Sequence, residues 1–350
     1  MKKKNNDGKK RGTKELIISI SAFFVVAVIA VAAVWATIGG NDEKKSAVQQ
    51  FFDIEYRHPL NGERLSSTYN KLPRVFGVMI ENSADAWPLA GLDQAFLVIE
   101  APVEGNIPRF IAFYSEESSV EKIGPVRSAR AYYLDWNDAL NAVYVHVGGS
   151  PEALGLIRDL YDTIDLNQFW QDEYFYRQNG TRVAPHNVYT SSELLISAFY
   201  ELELSEPEYD VWKFQDGKAV QNPHEGVSVD FTQGSTYDVI WEYQTDSNDY
   251  LRYQGKGVME QEDGAPVVAN NVVVMATDMR VVDGEGRLKM VTIGEGDTLI
   301  IQNGESFLGR WKQADRYSRL TFYTTDGFEI SLNAGITWVE VVSSLSQVGG

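Results

Sequence analysis

Cysteine is absent from this sequence of 350 residues. Without cysteine the chain has no disulfide bond, no thiolate nucleophile, no cysteine-ligated zinc or iron–sulfur cluster, and no N-terminal attachment point for a lipid thioether. Packing must therefore supply the stability. A chain of this length allows about two folded domains. Because 44% of the residues are hydrophobic and 12% are aromatic, most of the chain is expected to be globular.

Histidine and basic residues are also scarce. The four histidines lack the paired spacing that is typical of zinc ligands, so we expect neither a metal nor another cofactor. Beyond residue 40, the chain has 24 basic residues against 47 acidic ones. A surface this acidic repels phosphate backbones, whose binding depends on basic patches. Nucleic acid is therefore not an expected partner.

One long hydrophobic run extends from Leu16 to Ile38, with 23 residues and no charged side chain. It is long enough to cross a membrane as a helix. Seven basic residues precede it against two acidic ones, which places residues 1–15 in the cytoplasm and the body outside. We therefore predict a single-pass protein of the cell membrane. The alternative is a signal peptide cleaved near residues 30–32, although this run exceeds the roughly 7 to 15 apolar residues of such peptides.

Two extracytoplasmic domains are expected after a stalk at residues 39–72. In residues 73–204, strand-like runs alternate with helices, which predicts a mixed α/β domain. Its predicted strands are at residues 75–80, 95–100, 109–114 and 142–147. Helices are indicated by Gly-Pro at the start of residues 125–140, by Ser-Pro at the start of residues 150–160, and by the capping-box spacing of Thr190 and Glu193.

A domain boundary is expected near residues 205–208. Beyond it, short alternating strands separated by Asp-Gly and Asn-Gly turns predict a mostly β domain at residues 209–343. Its predicted strands include residues 227–231, 237–243, 272–275, 298–301 and 320–323. The predicted fold class is therefore α+β, with an N-terminal membrane helix, a mixed α/β domain and a β-rich domain.

Positive charge is concentrated in one short run of the first domain. Between residues 75 and 140 the basic side chains are Arg109, Lys122, Arg127 and Arg130. If Pro125 begins a helix, Arg127 and Arg130 lie on one helix face, beside free N–H groups and the positive end of the helix dipole. This arrangement suits a phosphate, pyrophosphate or carboxylate. The alternative is that the arginines pair with carboxylates of their own domain.

Two glutamates, Glu100 and Glu104, lie at the end of a predicted strand. Carboxyl groups that are close together can have their pKa values driven apart, as a general acid and base require. The alternative is structural pairing with arginine. A catalytic pocket is expected to perturb the pKa of one carboxyl group, whereas a structural module is expected to pair both glutamates fully with the arginines.

Two histidines are further candidates for a general base. His146 ends a predicted strand just before a Gly-Gly-Ser-Pro turn, and active sites favour such strand ends. His186 lies in a predicted loop beside Asn187. For each histidine the alternative is a hydrogen-bonded structural role.

Motif-like runs occur along residues 73–342. The most specific is Lys-Ile-Gly-Pro-Val-Arg-Ser-Ala-Arg at residues 122–130. The others are at residues 78–82, 91–92, 99–100, 103–105, 109–110, 146–152, 185–189, 271–274, 309–311 and 335–338. Together they resemble the YerB family of bacterial lipoproteins, whose domain has no characterised function. The resemblance implies a protein of the cell envelope.

Some positions depart from the pattern of that family. Trp87-Pro88-Leu89 replaces Arg-Pro-Gln, Pro108 replaces threonine, and the lipid-attachment cysteine is absent, so the apolar helix is expected to provide the anchor. A pattern-level likeness also connects the first domain with the LytR-CpsA-Psr transferases, which bind a polyprenyl pyrophosphate. It covers residues 124–130, 142–151 and 163–165.

Our leading hypothesis is an extracytoplasmic binding or scaffold module of the cell envelope that holds an anionic ligand. The predicted ligand-binding residues are Asn82, Glu104, Arg109, Arg127, Arg130, His146, His186 and Asn187. One alternative is an enzyme acting on envelope glycan or a polyprenyl-linked precursor, with Glu100, Glu104 or His146 as catalytic candidates. Another is a partner protein of cell-wall synthesis or division machinery, which predicts an exposed apolar patch on the β-rich domain.

Overall fold

A ten-stranded mixed β-sheet and a smaller second sheet form the framework of the described residues in this computed structural model. Residues Tyr56–Gly350 make up one compact unit. The predicted cytoplasmic tail at residues 1–15 and the predicted membrane helix from Leu16 to Ile38 lie outside the described residues. Among the helices that are described, none has the length and apolar character needed to cross a membrane. The structure describes residues 55–68, 71–180, 182–202, 204–224, 226–231, 236–255 and 257–349.

Helices are few and short in these ranges. The α-helices described there are α1 (Ala131–Asp138), α2 (Pro151–Asp159) and α3 (Ser192–Glu201). Single-turn 3-10 helices lie at Ala84–Ala86, Leu92–Gln94, Glu104–Asn106, Asp172–Tyr174 and Leu345–Gln347.

Strands are numerous and make the fold α+β. Those of the first half are β1 (Tyr56–Arg57), β2 (Arg64–Leu65), β3 (Val75–Ile80), β4 (Leu97–Pro102), β5 (Pro108–Ser115), β6 (Val143–His146), β7 (Ile164–Asn167), β8 (Tyr176–Arg177) and β9 (Val188–Tyr189). Those of the second half are β10 (Phe214–Gln215), β11 (Gly226–Val229), β12 (Val239–Gln244), β13 (Asp249–Gln254), β14 (Gly257–Val258), β15 (Val268–Ala269), β16 (Asn271–Ala276), β17 (Met279–Val281), β18 (Leu288–Met290), β19 (Gly294–Gln302), β20 (Glu305–Gln313), β21 (Thr321–Thr324), β22 (Leu332–Asn333), β23 (Thr337–Val342) and β24 (Val348–Gly349).

The main sheet draws strands from both halves of the chain. Its order is β21-β20-β19-β16-β23-β4-β5-β3-β6-β7. Strands β3 and β4 are both antiparallel to β5, and β6 and β7 continue parallel to β3, so β3, β4, β6 and β7 run in one direction. Strand β23 pairs in parallel with β4 and joins the two halves. The smaller sheet has the order β14-β13-β12-β11-β24, with β15 paired to β13.

Both faces of the main sheet are covered. Strand β3 is buried along its whole length, as expected for an apolar strand that packs on both sides. One core lies between this sheet, the smaller sheet and α3, and includes Phe199, Trp241 and Trp338. The core on the other face includes Tyr133 of α1 and Trp311. In the smaller sheet, β12 alternates between buried and exposed residues, because only one of its faces is covered.

The arginine run is not helical, so the predicted helix at residues 125–140 is wrong over its first six residues. Helix α1 begins only at Ala131. The Arg127 N–H donates to the Met79 carbonyl (2.8 Å), and the Arg127 carbonyl accepts the Val147 N–H (3.0 Å). These bonds hold the backbone extended between β3 and the end of β6. The expected helix face with two arginines therefore does not exist.

The N-caps of the other helices agree more closely with the sequence signals. The predicted cap of α2 is confirmed, since Ser150 Oγ accepts the Ala153 N–H (3.2 Å). For α3 the predicted cap is one residue early, because Ser191 rather than Thr190 accepts a backbone N–H of the first turn. The Thr190 hydroxyl instead donates to the Tyr174 carbonyl (2.8 Å).

Candidate functional site

The candidate site lies at one edge of the main sheet, where β3, β4, β6 and β7 end. Because these strands run in one direction, the loops that follow them meet there. The extended run at residues 125–130 crosses this edge: the Arg127 N–H bonds to Met79 on β3, and the Ala129 N–H donates to the Gly148 carbonyl (3.0 Å) just after β6. Ligands of open sheets of this kind bind beyond the carboxyl ends of the strands.

Arg109, near the start of β5, is the most deeply buried of the three arginines. Arg109 is 7% exposed, and its Nη1 donates to the Ser128 carbonyl (2.8 Å). Within the described residues it forms no ion pair with a carboxylate. Burial, followed by the charges of Arg130 and Arg127, lowers the pKa of Arg109 to about 10. Because Arg109 bonds to the carbonyl of Ser128, which lies between Arg127 and Arg130 in the chain, we call these three arginines the arginine cluster.

The other two arginines contact carboxylates. Arg130 holds Glu104 with two hydrogen bonds, Nε to Oε1 (2.7 Å) and Nη2 to Oε2 (2.6 Å). Arg127 Nε lies 3.2 Å from Glu81 Oε1. Burial acts to raise the pKa of Glu104, but the hydrogen bond and charge of Arg130, with the charge of Arg109, leave it below the ordinary value. Internal pairing therefore accounts for Arg127 and Arg130 but not for Arg109.

Both candidate histidines are hydrogen-bonded. His146 is completely buried, with Nδ1 2.7 Å from the Gly148 carbonyl and Nε2 2.6 Å from Asp165 Oδ1. Both ring nitrogens face oxygen acceptors, so neither is open to a substrate. His186 Nδ1 lies 2.9 and 3.0 Å from the two oxygens of Glu81. His186 thus shares its carboxylate with Arg127.

The two predicted asparagine ligands lie outside the arginine cluster. Asn187 is buried and its Oδ1 accepts a hydrogen bond from Arg177 Nη1 (3.0 Å). Asn82 is also buried, and its Nδ2 donates to Glu100 Oε1 (3.1 Å). Both side chains therefore have structural partners.

Glu100 and Glu104 do not form the hypothesised acid–base pair. Glu100 is completely buried and faces the smaller sheet, where Arg252 Nη2 donates to its Oε2 (2.6 Å). Glu104 lies in the turn after β4 and is held by Arg130. Each glutamate is thus paired with a different arginine, Glu104 with Arg130 and Glu100 with Arg252 of the second half.

A buried polar network around Glu100 connects the two halves of the chain. Trp338 Nε1 donates to Glu100 Oε2 (3.2 Å), and Trp241 Nε1 donates to Glu340 Oε1 (2.8 Å). Arg252 lies over three aromatic rings, with its Cζ 5.0 Å from the Trp338 ring centre. Gln254 accepts a hydrogen bond from Arg252 Nη1 (2.5 Å) and donates one to Asn82 Oδ1 (3.0 Å). The buried network consists of Asn82, Glu100, Trp241, Arg252, Gln254, Trp338 and Glu340.

Glu340 was not predicted from the sequence as a residue of interest. It is completely buried, and burial together with the nearby charge of Glu100 raises its pKa well above the ordinary value. The sequence does contain a signal: Glu340 is the lone charge in Thr-Trp-Val-Glu-Val-Val, which is the pattern of a strand covered on both faces. A charged residue in such a strand requires a buried partner.

Comparisons with known proteins match this chain to two domain models of one family. Residues 60–205 match the N-terminal domain, and residues 227–339 the C-terminal domain, of a group described as protein of unknown function (DUF3048). The chain is 30% identical over 283 residues to "Putative lipoprotein YerB" of Bacillus subtilis (strain 168), with 78% of this chain and 82% of that protein covered. The crystal structure of YerB from Bacillus subtilis superposes with a TM-score of 0.74 at 27% identity and covers 84% of this chain and 98% of that chain.

These matches identify a protein with the two DUF3048 domains. Its main sheet continues from the first domain into the second. The chain belongs to the YerB family.

Proposed function

We propose that this protein is a membrane-anchored, extracytoplasmic binding or scaffold module of the bacterial cell envelope, and that its arginine cluster holds an anionic ligand. The observation that carries this proposal is Arg109. It is a buried guanidinium beside two further arginines, and no described carboxylate pairs with it. A buried cation is costly without an anionic partner. A bound anion would supply that partner.

The charges of the site support an anion. Glu81 and Glu104 offset two of the three arginines, so one positive charge remains. Arg127 contacts Glu81 through Nε, and its two terminal nitrogens make no hydrogen bond to another described residue. A phosphate or carboxylate between Arg109 and Arg127 would accept hydrogen bonds from both guanidinium groups.

Glu104 and His186 act on the arginines rather than on the ligand, and His146 supports the backbone beside them. Glu104 holds one edge of the Arg130 guanidinium with two hydrogen bonds. His186 and Arg127 both contact Glu81, so His186 helps to set the position of that carboxylate. His146 ties the end of β6 to β7 through Asp165. These contacts preorganise the cluster before a ligand arrives.

The anchor is proposed from the N-terminal sequence. The 23-residue apolar run from Leu16 to Ile38, with basic residues before it, supports a single-pass helix with the body outside. The relative in Bacillus subtilis carries a lipoprotein name; this chain has no cysteine and would use the helix instead. External protease on intact cells should digest the body. Protection of the body in intact cells would overturn this topology.

Ligand binding is tested by titrating the full-length chain, purified in detergent, with inorganic phosphate and pyrophosphate in a calorimeter. The double variant Arg127→Ala, Arg130→Ala should weaken binding by at least about tenfold, which corresponds to about 1.4 kcal/mol. Arg158→Ala is the matched control, since Arg158 is exposed and, in the described part of the chain, pairs with Asp159 alone. Equal affinity of the double variant and the unchanged protein would refute the proposal, as would an absence of binding to both anions.

Exposed apolar residues support a second candidate function, that of a partner protein for envelope machinery. On and beside the β17–β18 hairpin of the second half, Val281 is 61% exposed, Val282 45%, Val291 47% and Ile293 37%. Clustered apolar residues on a surface are typical of protein contacts. Changing Val281 and Val282 to serine should leave anion binding intact and abolish crosslinking of the hairpin to an envelope protein.

A further inference from the structure

Two large aromatic side chains are exposed immediately after β7, at the same edge of the main sheet as the arginine cluster. Phe169 is 60% exposed and Trp170 is 78% exposed. Phe169 follows Asn167, whose Oδ1 accepts the N–H groups of both Phe169 (3.2 Å) and Gly148 (3.0 Å). The loop after β7 is therefore tied to the loop after β6.

Phe169 lies against the backbone segment that is hydrogen-bonded to the arginine run. A Cβ atom placed on Gly148 would come within 2.7 Å of the Phe169 ring, so the ring rests on the Gly148 backbone. The Gly148 carbonyl accepts the N–H of Ala129, the residue before Arg130. Neighbouring strands are about 4.8 Å apart. Phe169 thus rests on a backbone segment that lies one strand spacing away from the arginine run.

We propose that Phe169 and Trp170 form the second part of the anion site, and that the ligand is a phosphorylated sugar. This inference rests on the proposed function. The phosphate binds between Arg109 and Arg127, and one face of the sugar ring lies on the two aromatic side chains. Aromatic side chains offer rigid apolar contact area at low entropic cost. A sugar-binding role thus accounts for two solvent-exposed aromatic side chains beside a cationic site.

The surrounding charge favours a sugar as the rest of the ligand, rather than a group that carries further phosphates. The chain beyond residue 40 has 47 acidic residues against 24 basic ones, so a ligand with several negative charges is repelled outside the arginine cluster. Asp165 uses Oδ1 for His146, and its side chain remains 29% exposed. An exposed carboxylate oxygen accepts hydrogen bonds from hydroxyl groups. A sugar has several hydroxyl groups, whereas the alkyl part of an apolar phosphate ester has none.

Calorimetric titration of the full-length chain with three probes tests this inference: inorganic phosphate, N-acetylglucosamine 1-phosphate and adenosine 5′-monophosphate. We expect the sugar phosphate to bind about tenfold more tightly than phosphate. In the double variant Phe169→Ala, Trp170→Ala this difference should vanish while the affinity for phosphate is unchanged. Phe328→Ala, at a residue that is 73% exposed in the second half, is the matched control and should behave like the unchanged protein.

The outcomes separate this inference from the proposed function. If phosphate binds but the sugar adds no affinity, or the aromatic variant keeps the added affinity, the inference fails and the anion site stands. Tighter binding of the nucleotide than of the sugar phosphate also overturns it. If no probe binds, both proposals fail.

Discussion

Glu100 and Glu340 lie directly opposite each other on the adjacent parallel strands β4 and β23, and both are completely buried. Arg252 forms its ion pair with Glu100. Two carboxylates cannot both ionise at such close range in an apolar core, so the second carboxyl group holds its proton. The contact between Glu100 and Glu340 joins the first half of the chain to the second, and the two carboxyl groups together carry one negative charge.

The state of Glu340 predicts a pH dependence of stability. The pKa of Glu340 is raised in the folded protein. The contribution of Glu340 to the free energy of unfolding is therefore fully present below the unfolded-state pKa of 4.5, and it is lost as the pH rises through the folded-state pKa. Glu340→Gln keeps the side chain neutral and should flatten this decline. Thermal unfolding between pH 4 and 9 measures it, with Glu121→Gln, at an exposed position, as control. A decline of unchanged slope in Glu340→Gln would contradict the assignment.

Removal of the Arg252 side chain should strongly destabilise the protein. Arg252→Met leaves the buried carboxylate of Glu100 without its cation, which typically costs about 3 to 5 kcal/mol of the free energy of unfolding. The double variant Arg252→Met, Glu100→Gln removes both charges and should recover part of that loss. Urea unfolding provides the comparison. If the double variant is as unstable as the sum of the two single variants, the two residues are not coupled.

The Arg130–Glu104 pair predicts the opposite pH dependence. The folded pKa of Glu104 is lowered, so the pair stabilises the protein above the ordinary value of 4.5 and this contribution is lost as the pH falls. In Arg130→Ala the pKa of Glu104 should rise, because a hydrogen-bond donor and a positive charge are removed. Carbon-13 NMR titration of the glutamate carboxyl groups reports the change. An unaltered Glu104 titration would show that Arg130 does not hold it in solution.

Gly148 should not tolerate a side chain. Its φ of +58° lies in the left-handed region, where alanine costs about 1 to 2 kcal/mol, and a Cβ would also strike the Phe169 ring. Gly148→Ala should therefore destabilise the protein, and adding Phe169→Ala should relieve the steric part alone. Chemical unfolding of the single and double variants measures both parts. Complete rescue by Phe169→Ala would mean that the backbone is not strained.

Local sequence patterns were sufficient for many elements. The apolar run at 75–80 became β3, and the Ser-Pro signal became the cap of α2, because a strand or a cap depends on a few neighbouring side chains. The helix at residues 125–140 was predicted too long. Its first six residues hydrogen-bond to β3 and to the backbone beyond β6, and these partners are distant in sequence.

The sequence by itself determined that the arginines are scarce, that cysteine chemistry is absent and that the chain has a mixed first half and a β-rich second half. Composition and short-range periodicity carry that information directly. Only the tertiary structure decided which carboxylate each arginine meets. Glu104 pairs with Arg130, 26 residues away, whereas Glu100 pairs with Arg252, 152 residues away. Strand order sets such partners, because burial stabilises a charge only where the fold brings an opposite charge to it.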